Sequence, residues 1–242
     1  MHDRHARRPA GHHAPGYQPA GQERFRSPVN TGLSGTGLVA DDLYLMAHHD
    51  VSGRALLQPR PLGIGLAGAL LAELMLGASI TVRYDGAVLA GRAGPGEDLA
   101  RQVRDQIAGE QEPRPVREWL LFLAHNAAQD VAGRLERAGY LTRVRSRVPG
   151  RRGRCVPVDS DWAFASLLRV RSALDPARPF AAHEAALAGL AVASGLGFRL
   201  DQYLPPAGRS PQEAVALLGP DLRELIAQTQ AAVDSALLSH RT

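Results

Sequence analysis

The chain has 242 residues, of which 45% are apolar, 5% aromatic and 21% charged, so it can bury a substantial hydrophobic core. All 28 basic residues are arginine, and the absence of lysine excludes both Schiff-base chemistry and a P-loop lysine. The single cysteine, Cys155, excludes an internal disulfide and a thiolate zinc cluster, and it favours a reducing compartment, the cytoplasm.

Positive charge is concentrated in two segments of the chain. Residues 1–37 carry five arginines against Asp3 and Glu23 and show no apolar periodicity, which predicts a disordered basic tail. Residues 141–158 carry six arginines and no acid. The remaining chain has 17 basic and 22 acidic residues, a net charge of −5. This asymmetry indicates an anionic partner, either nucleic acid or the headgroups of a membrane.

The first elements are predicted in the N-terminal third of the chain. Asp41 and Asp42 precede an apolar block at 43–46 and are positioned to cap a short helix there. Residues 62–76 are rich in alanine and leucine at four-residue spacing, which predicts a buried helix that ends at Gly77. Apolar residues on both sides of Asp85-Gly86 predict a small hairpin.

Helical spacing continues through the rest of the chain. Further helices are predicted at 97–107, 119–138, 161–173, 181–198 and 211–239, the last of them broken at Gly219-Pro220. The fold class is therefore mainly α. We expect a single compact helical domain with short β-hairpins at 38–242, preceded by the disordered basic tail at 1–37.

Two motifs that suggest cofactor or metal chemistry have simpler explanations. Gly63, Gly65 and Gly68 fit the G-x-G-x-x-G pattern of dinucleotide sites. Two prolines stand where the preceding strand would need hydrogen-bond donors, so glycines for close helix packing are favoured. His48-His49-Asp50 lacks a third ligand at helical spacing and is interpreted as surface polar residues.

No catalytic arrangement is recognisable in the sequence. It contains no Ser-His-Asp elbow, no Cys-His pair and no H-E-x-x-H helix. Glu73 stands alone in an apolar helix and is interpreted as a satisfied buried acid rather than a general base. We therefore expect a protein that is not an enzyme and that requires no cofactor and no metal.

Residues 142–158 predict a basic hairpin. An extended strand places Arg143, Arg145 and Arg147 on one face about 7 Å apart, and Pro149-Gly150 turns the chain. Six arginines without a counter-ion repel one another, which favours an anion as the partner. The candidate anion-binding residues on the hairpin are Arg143, Arg145, Arg147, Arg151, Arg152 and Arg154.

Two anions compete for this hairpin. A helix followed by a basic hairpin is typical of the end of a winged-helix DNA-binding regulator, in which Arg134 and Arg137 would help to contact phosphates. The acids on the same helix make nucleic acid the weaker alternative. An anionic phospholipid surface needs no groove geometry, and each arginine near it contributes roughly 1 kcal/mol.

The order of segments resembles a known family. Asp42-Leu43-Tyr44-Leu45-Met46, followed by the leucine-rich helix at 65–76, is similar to the opening of the Golgi phosphoprotein 3 family. Pro95-Gly96-Glu97-Asp98-Leu99, Trp119-Leu120 and the segment 131–141 that leads into the hairpin agree in order. The resemblance covers residues 38–236.

The resemblance implies a single, mainly helical domain that docks peripherally on membranes and binds phosphatidylinositol 4-phosphate in a basic pocket beside a protruding hydrophobic hairpin. In eukaryotes it implies a protein that helps to retain Golgi enzymes. The family's pocket tryptophan falls near Gln58, and its pocket arginines fall on or near Ala67, His125 and Ala128. Arg60 and His125 are then the nearest substitutes and complete the candidate site with the hairpin arginines.

The expected function is that of a non-enzymatic peripheral membrane or adaptor protein. Its expected partners are an anionic phospholipid with a phosphoinositide-like headgroup, a protein client and a second copy of the chain. The lysine-free, alanine-rich composition indicates a GC-rich bacterial genome. A Golgi role therefore need not apply, and the expected location is the cytoplasm, as the single cysteine indicates, with peripheral membrane association.

Overall fold

The computed structural model describes residues 36–92, 97–144, 153–203 and 208–239. Within these ranges the chain is mainly helical, as predicted. The helices are α1 (Val39–Met46), α2 (Pro59–Leu76), α3 (Asp98–Gly109), α4 (Val116–Leu123), α5 (Ala127–Arg137), α6 (Asp161–Leu174), α7 (Ala182–Ala193), α8 (Gly197–Tyr203), α9 (Pro211–Ala216) and α10 (Pro220–Leu238). Two antiparallel hairpins pair β1 (Ile80–Val82) with β2 (Val88–Ala90) and β3 (Leu141–Val144) with β4 (Arg154–Pro157).

The core is built around α2. This helix packs against α1, α4, α5, α7 and α10, and most of its residues are buried. Its length and composition alone would allow it to cross a membrane, but 72% of it is buried inside the fold, as expected of a core helix. No other described helix meets the same length and composition test.

Three glycines on α2 allow neighbouring elements to approach its backbone. A side chain at Gly63 would overlap the carbonyl oxygen of Ala124, and one at Gly65 would overlap the hydroxyl of Ser194. At Gly68 it would lie 2.6 Å from the Thr229 hydroxyl. The G-x-G-x-x-G motif thus lies within α2 rather than in a loop before it, and each of its glycines lies against a neighbouring element. The prediction that these glycines serve close helix packing is confirmed.

The single helix predicted at 119–138 is two helices. α4 ends at Leu123 and α5 begins at Ala127. The imidazole Nδ1 of His125 donates to the carbonyl oxygens of Leu121 at 3.0 Å and Phe122 at 3.3 Å. These two carbonyls near the end of α4 are thus satisfied by a side chain, and the chain turns.

The single helix predicted at 181–198 is also interrupted. α7 ends at Ala193 and α8 begins at Gly197. Between them Gly195 has a φ of +93°, a conformation that glycine adopts without steric cost and that ends a helix. The predicted break at Gly219-Pro220, by contrast, is confirmed, since α10 begins at Pro220 with Gly219 as its N-cap.

The prediction that Asp41 and Asp42 cap the first helix is wrong. α1 begins at Val39, so both acids lie in its first turn, where both are buried. Asp42 accepts a hydrogen bond from the backbone N–H of Thr36 at 3.1 Å. The predicted tail at 1–37 lies outside the described residues except for its last two, and its boundary stays a prediction.

Candidate anion-binding face

The loop between α1 and α2, residues 47–58, packs directly on the basic hairpin. Gly53 has a φ of +62°, and a side chain there would overlap the carbonyl oxygen of Cys155 on β4. Only glycine fits this position, because both the conformation and the space require it. We call the surface formed by this loop, the first turn of α2 and the β3–β4 hairpin the loop–hairpin face.

The start of the loop is held by a buried arginine and a buried histidine. The guanidinium of Arg199 on α8 donates to the carbonyl oxygens of Met46 at 3.3 Å and His48 at 3.4 Å. The His48 ring stacks on Tyr44, with ring centroids 3.9 Å apart, and its Nδ1 donates to the Tyr44 carbonyl at 2.7 Å. Burial lowers the pKa of His48, which keeps the ring neutral.

The interpretation of His48-His49-Asp50 as surface residues is therefore wrong for His48, which is buried, and it holds for the exposed His49. Within the described ranges, no group of three or more His, Cys, Asp or Glu side chains could hold a metal ion.

Arg60 and His125, the two predicted pocket residues, both lie next to one close contact between α2 and the α4–α5 connection. Arg60 is exposed in the first turn of α2, one turn before Gly63. Gly63 packs against Ala124, which directly precedes the exposed His125. Because Nδ1 of His125 is used on α4, its Nε2 can donate to an anion only when the ring is protonated.

Arg143 is not a free cation, which corrects the expectation of six arginines without a counter-ion. Its guanidinium donates to Glu136 on α5 at 2.7 Å, and this hydrogen bond lowers the pKa of Glu136. Arg154 is exposed on the neighbouring strand and forms no ion pair within the described ranges. The other four hairpin arginines, Arg145, Arg147, Arg151 and Arg152, lie outside the described residues.

Sequence reasoning missed Arg54. It follows Gly53 on the loop, is exposed, and its carbonyl accepts the backbone N–H of His49 at 2.8 Å. Arg54 forms no ion pair with another described residue. An arginine directly after a loop glycine is a weak signal on its own, and it becomes informative only once Gly53 is seen to touch the hairpin.

Arg134 lies at the centre of a buried ion cluster. It is 4% exposed and donates to Asp41 at 2.7 Å, to Glu73 at 2.9 Å and 3.0 Å, and to Glu97 at 3.1 Å. Burial lowers its pKa, but the charges and hydrogen bonds of Glu73 and Asp41 outweigh burial and raise it. Glu73 is thus confirmed as a satisfied buried acid.

This cluster weakens the winged-helix alternative. Of the two helix arginines that could contact phosphates, Arg134 has its guanidinium enclosed by three carboxylates of its own chain. A DNA phosphate would have to displace them inside the core. A second buried pair lies nearby, in which Arg169 Nε is 3.2 Å from Asp42 and the Ser166 hydroxyl donates to Asp42 at 3.0 Å.

Asp41 makes stability depend on pH. Burial raises its pKa to about 7, although Arg134 acts in the opposite direction. Between its ordinary value of 3.8 and about 7 the folded protein holds a proton that the unfolded chain releases. The contribution of Asp41 to the free energy of unfolding therefore falls as pH rises through this window, by up to about 1.4 kcal/mol per pH unit.

Urea denaturation of the wild type and of Asp41→Asn across this window measures the effect. The stability of the wild type relative to the variant should decrease as pH rises. A constant difference for Asp41→Asn would contradict the assignment.

The family model described as Golgi phosphoprotein 3 (GPP34) matches residues 39–236, which is most of the chain. The chain belongs to the Golgi phosphoprotein 3 family. No curated protein matches it. The Golgi phosphoprotein 3 family is a lipid-binding and adaptor family, associated with phosphoinositides, protein partners and Golgi membrane surfaces.

The four positions predicted to depart from the Golgi phosphoprotein 3 pattern have different surroundings in the structure. Gln58 is exposed at the end of the loop, and His125 is exposed at the α4–α5 connection. Ala128 is half-buried on α5, and Ala67 is fully buried within α2. Among the described residues of the loop–hairpin face, the exposed arginines are Arg54, Arg60, Arg143 and Arg154.

Proposed function

We propose that this member of the Golgi phosphoprotein 3 family is a peripheral membrane protein that binds anionic phospholipid headgroups through the loop–hairpin face. The observation that carries the proposal is the contact of Gly53 with Cys155, because it joins the loop leading to Arg60 with the hairpin that bears Arg154. Exposed guanidinium groups on both sides of this contact suit phosphate, which accepts bidentate hydrogen bonds from arginine.

Phosphatidylinositol 4-phosphate is the headgroup that the family implies, and it is the first to test. The residues proposed to bind headgroups are Arg60, His125, Arg143, Arg145, Arg147, Arg151, Arg152 and Arg154. Because Gln58, Ala67 and Ala128 supply no aromatic ring or cation, we propose recognition that rests mainly on negative charge. Vesicles with phosphatidylinositol 4-phosphate and vesicles with phosphatidylserine at equal surface charge should then bind the chain similarly.

The Arg143–Glu136 ion pair provides a matched set of variants for vesicle sedimentation. Arg154→Ser should weaken binding to anionic vesicles about fivefold, since an arginine near the surface contributes roughly 1 kcal/mol. Arg143→Ser should have a smaller effect, because Glu136 already neutralises this arginine. Glu136→Gln should strengthen binding by up to about fivefold, because it releases Arg143 toward the lipid.

The double variant Glu136→Gln, Arg143→Ser is the control, and it should lose the gain of the single glutamine variant. Binding to anionic vesicles should also fall with increasing salt. Binding that is absent, insensitive to salt or unchanged in Arg154→Ser would refute the proposal. Retardation of duplex DNA by the wild type, lost in Arg154→Ser, would assign the hairpin to nucleic acid instead.

A further inference from the structure

Four exposed apolar side chains stand at the adjoining ends of α4 and α10. Phe122 is 51% exposed and Leu121 is 36% exposed at the end of α4. Leu238 is 65% exposed and Leu237 is 40% exposed at the end of α10. Large apolar side chains grouped in this way, unlike ones scattered singly, mark an interaction surface.

The packing of the two helices brings these side chains to one end of the fold. Ile64 of α2 packs with Ala236 and its neighbours on α10, and Ala124 packs against the same group. Arg117 on α4 donates to the Ser235 hydroxyl on α10 at 3.5 Å. These contacts bring the ends of α4 and α10 together, and the exposed apolar side chains at these two ends are Leu121 and Phe122 on α4 and Leu237 and Leu238 on α10. We call them the helix-end patch.

Two contacts connect the end of α4 with the candidate anion-binding residues. His125 caps α4 through the carbonyl oxygens of Leu121 and Phe122. Ala124 also touches Gly63, one turn after Arg60. The Gly63–Ala124 contact thus joins the first turn of α2, which carries the exposed Arg60, to the end of α4, which carries the exposed Phe122.

We infer that the helix-end patch is an apolar anchor that inserts into the interface of an anionic bilayer beside the cationic loop–hairpin face. This inference rests on the proposed function. Charge alone gives salt-sensitive membrane binding, and stable peripheral attachment takes a second, apolar signal. The hairpin offers little of it, because between Arg145 and Arg152 the only large apolar residue is Val148.

The charges around the patch suit the same partner. Arg117 lies on α4 five residues before Phe122, and Arg60 lies in the first turn of α2, one turn before the contact of Gly63 with Ala124. The carboxylates at this end are those of Glu118 and Asp234, both exposed. Phenylalanine and leucine next to arginine match the boundary between headgroups and acyl chains, where the apolar part is buried and the guanidinium meets phosphate.

Tryptophan fluorescence with bromine-labelled acyl chains tests the insertion directly. Phe122→Trp, in the full chain on anionic vesicles, should show fluorescence that is quenched relative to unlabelled vesicles. Leu217→Trp is the matched control, since Leu217 is 53% exposed near the opposite end of α10, roughly 28 Å away along a 19-residue helix. The control should show no added quenching beyond that of the wild type.

The outcomes separate the two proposals. Quenching of Phe122→Trp alone supports the anchor. Equal quenching of both variants, or of neither while sedimentation shows bound protein, refutes the anchor and leaves the proposed function standing. If the wild type does not sediment with anionic vesicles, the proposed function fails, and the anchor that rests on it fails too.

A serine pair supplies a second, independent readout. Phe122→Ser with Leu238→Ser should weaken vesicle binding by about tenfold or more, and a melting temperature close to that of the wild type would exclude misfolding as the cause. Leu217→Ser should leave binding unchanged. A wild-type dimer that this pair converts to a monomer, without a loss of vesicle binding, would assign the patch to a second copy of the chain and refute the anchor.

Discussion

Replacement of Arg134 by methionine is expected to lower the free energy of unfolding at neutral pH by about 3–5 kcal/mol, because it leaves buried carboxylates without their counter-ion. Asp41, Glu73 and Glu97 all accept hydrogen bonds from this one guanidinium. Methionine retains much of the packing volume but donates no hydrogen bond. Chemical denaturation with a linear extrapolation measures the loss.

Two controls identify the cause. Arg137, on the next turn of α5, is exposed, and Arg137→Met should change stability by no more than about 0.5 kcal/mol. Lowering the pH should restore part of the stability of Arg134→Met, since protonation neutralises the stranded carboxylates. A loss below about 1 kcal/mol for Arg134→Met would mean that the cluster contributes little beyond its solvation cost.

Replacement of Gly65 by alanine is expected to destabilise the fold by about 1–3 kcal/mol, because the added methyl group overlaps the Ser194 hydroxyl at the end of α7. In an open helix the same change stabilises by about 1 kcal/mol, since alanine has the higher helix propensity. The sign of the stability change therefore distinguishes close packing from helix propensity, and thermal or urea denaturation measures it.

A control substitution at a second glycine and a rescue variant complete this experiment. Gly109 is the last residue of α3, and beyond its own helix and chain neighbours no described atom lies within 4 Å of the space that a side chain would occupy. Gly109→Ala should therefore be neutral or stabilising by up to about 1 kcal/mol. Ser194→Gly should restore part of the stability lost in Gly65→Ala. If Gly65→Ala behaves like Gly109→Ala, the close contact between α2 and α7 is not tight.

The elements that were predicted correctly are marked by turn or breaker residues next to them in the sequence. Asp85-Gly86 between apolar residues gives the β1–β2 hairpin, and Gly219-Pro220 marks the start of α10. The break between α4 and α5 has no glycine or proline to mark it. It depends on His125 capping α4 and on Gly63 touching Ala124, about 60 residues earlier in the chain.

The candidate site was predictable only in part for the same reason. The basic segment is visible as composition, but the pairing of Arg143 with Glu136 depends on how the hairpin folds back on α5. The burial of Glu73 was predictable, because it is the lone acidic residue in an apolar helix. Its partner Arg134 lies 61 residues away, and a single sequence gives no signal for a contact at that distance.

The polar contacts of α1 form late during synthesis of the chain. A helix of eight residues is too short to persist alone in water, so α1 depends on polar partners that are translated later. Arg134 follows Asp41 by 93 residues, Ser166 follows Asp42 by 124, and Arg199 follows Met46 by 153. At roughly 5–20 residues per second on the ribosome, this segment waits many seconds for Arg199 to emerge. The first described helix to leave the exit tunnel thus completes its polar contacts only late in synthesis, and until then its apolar residues are open to chaperones.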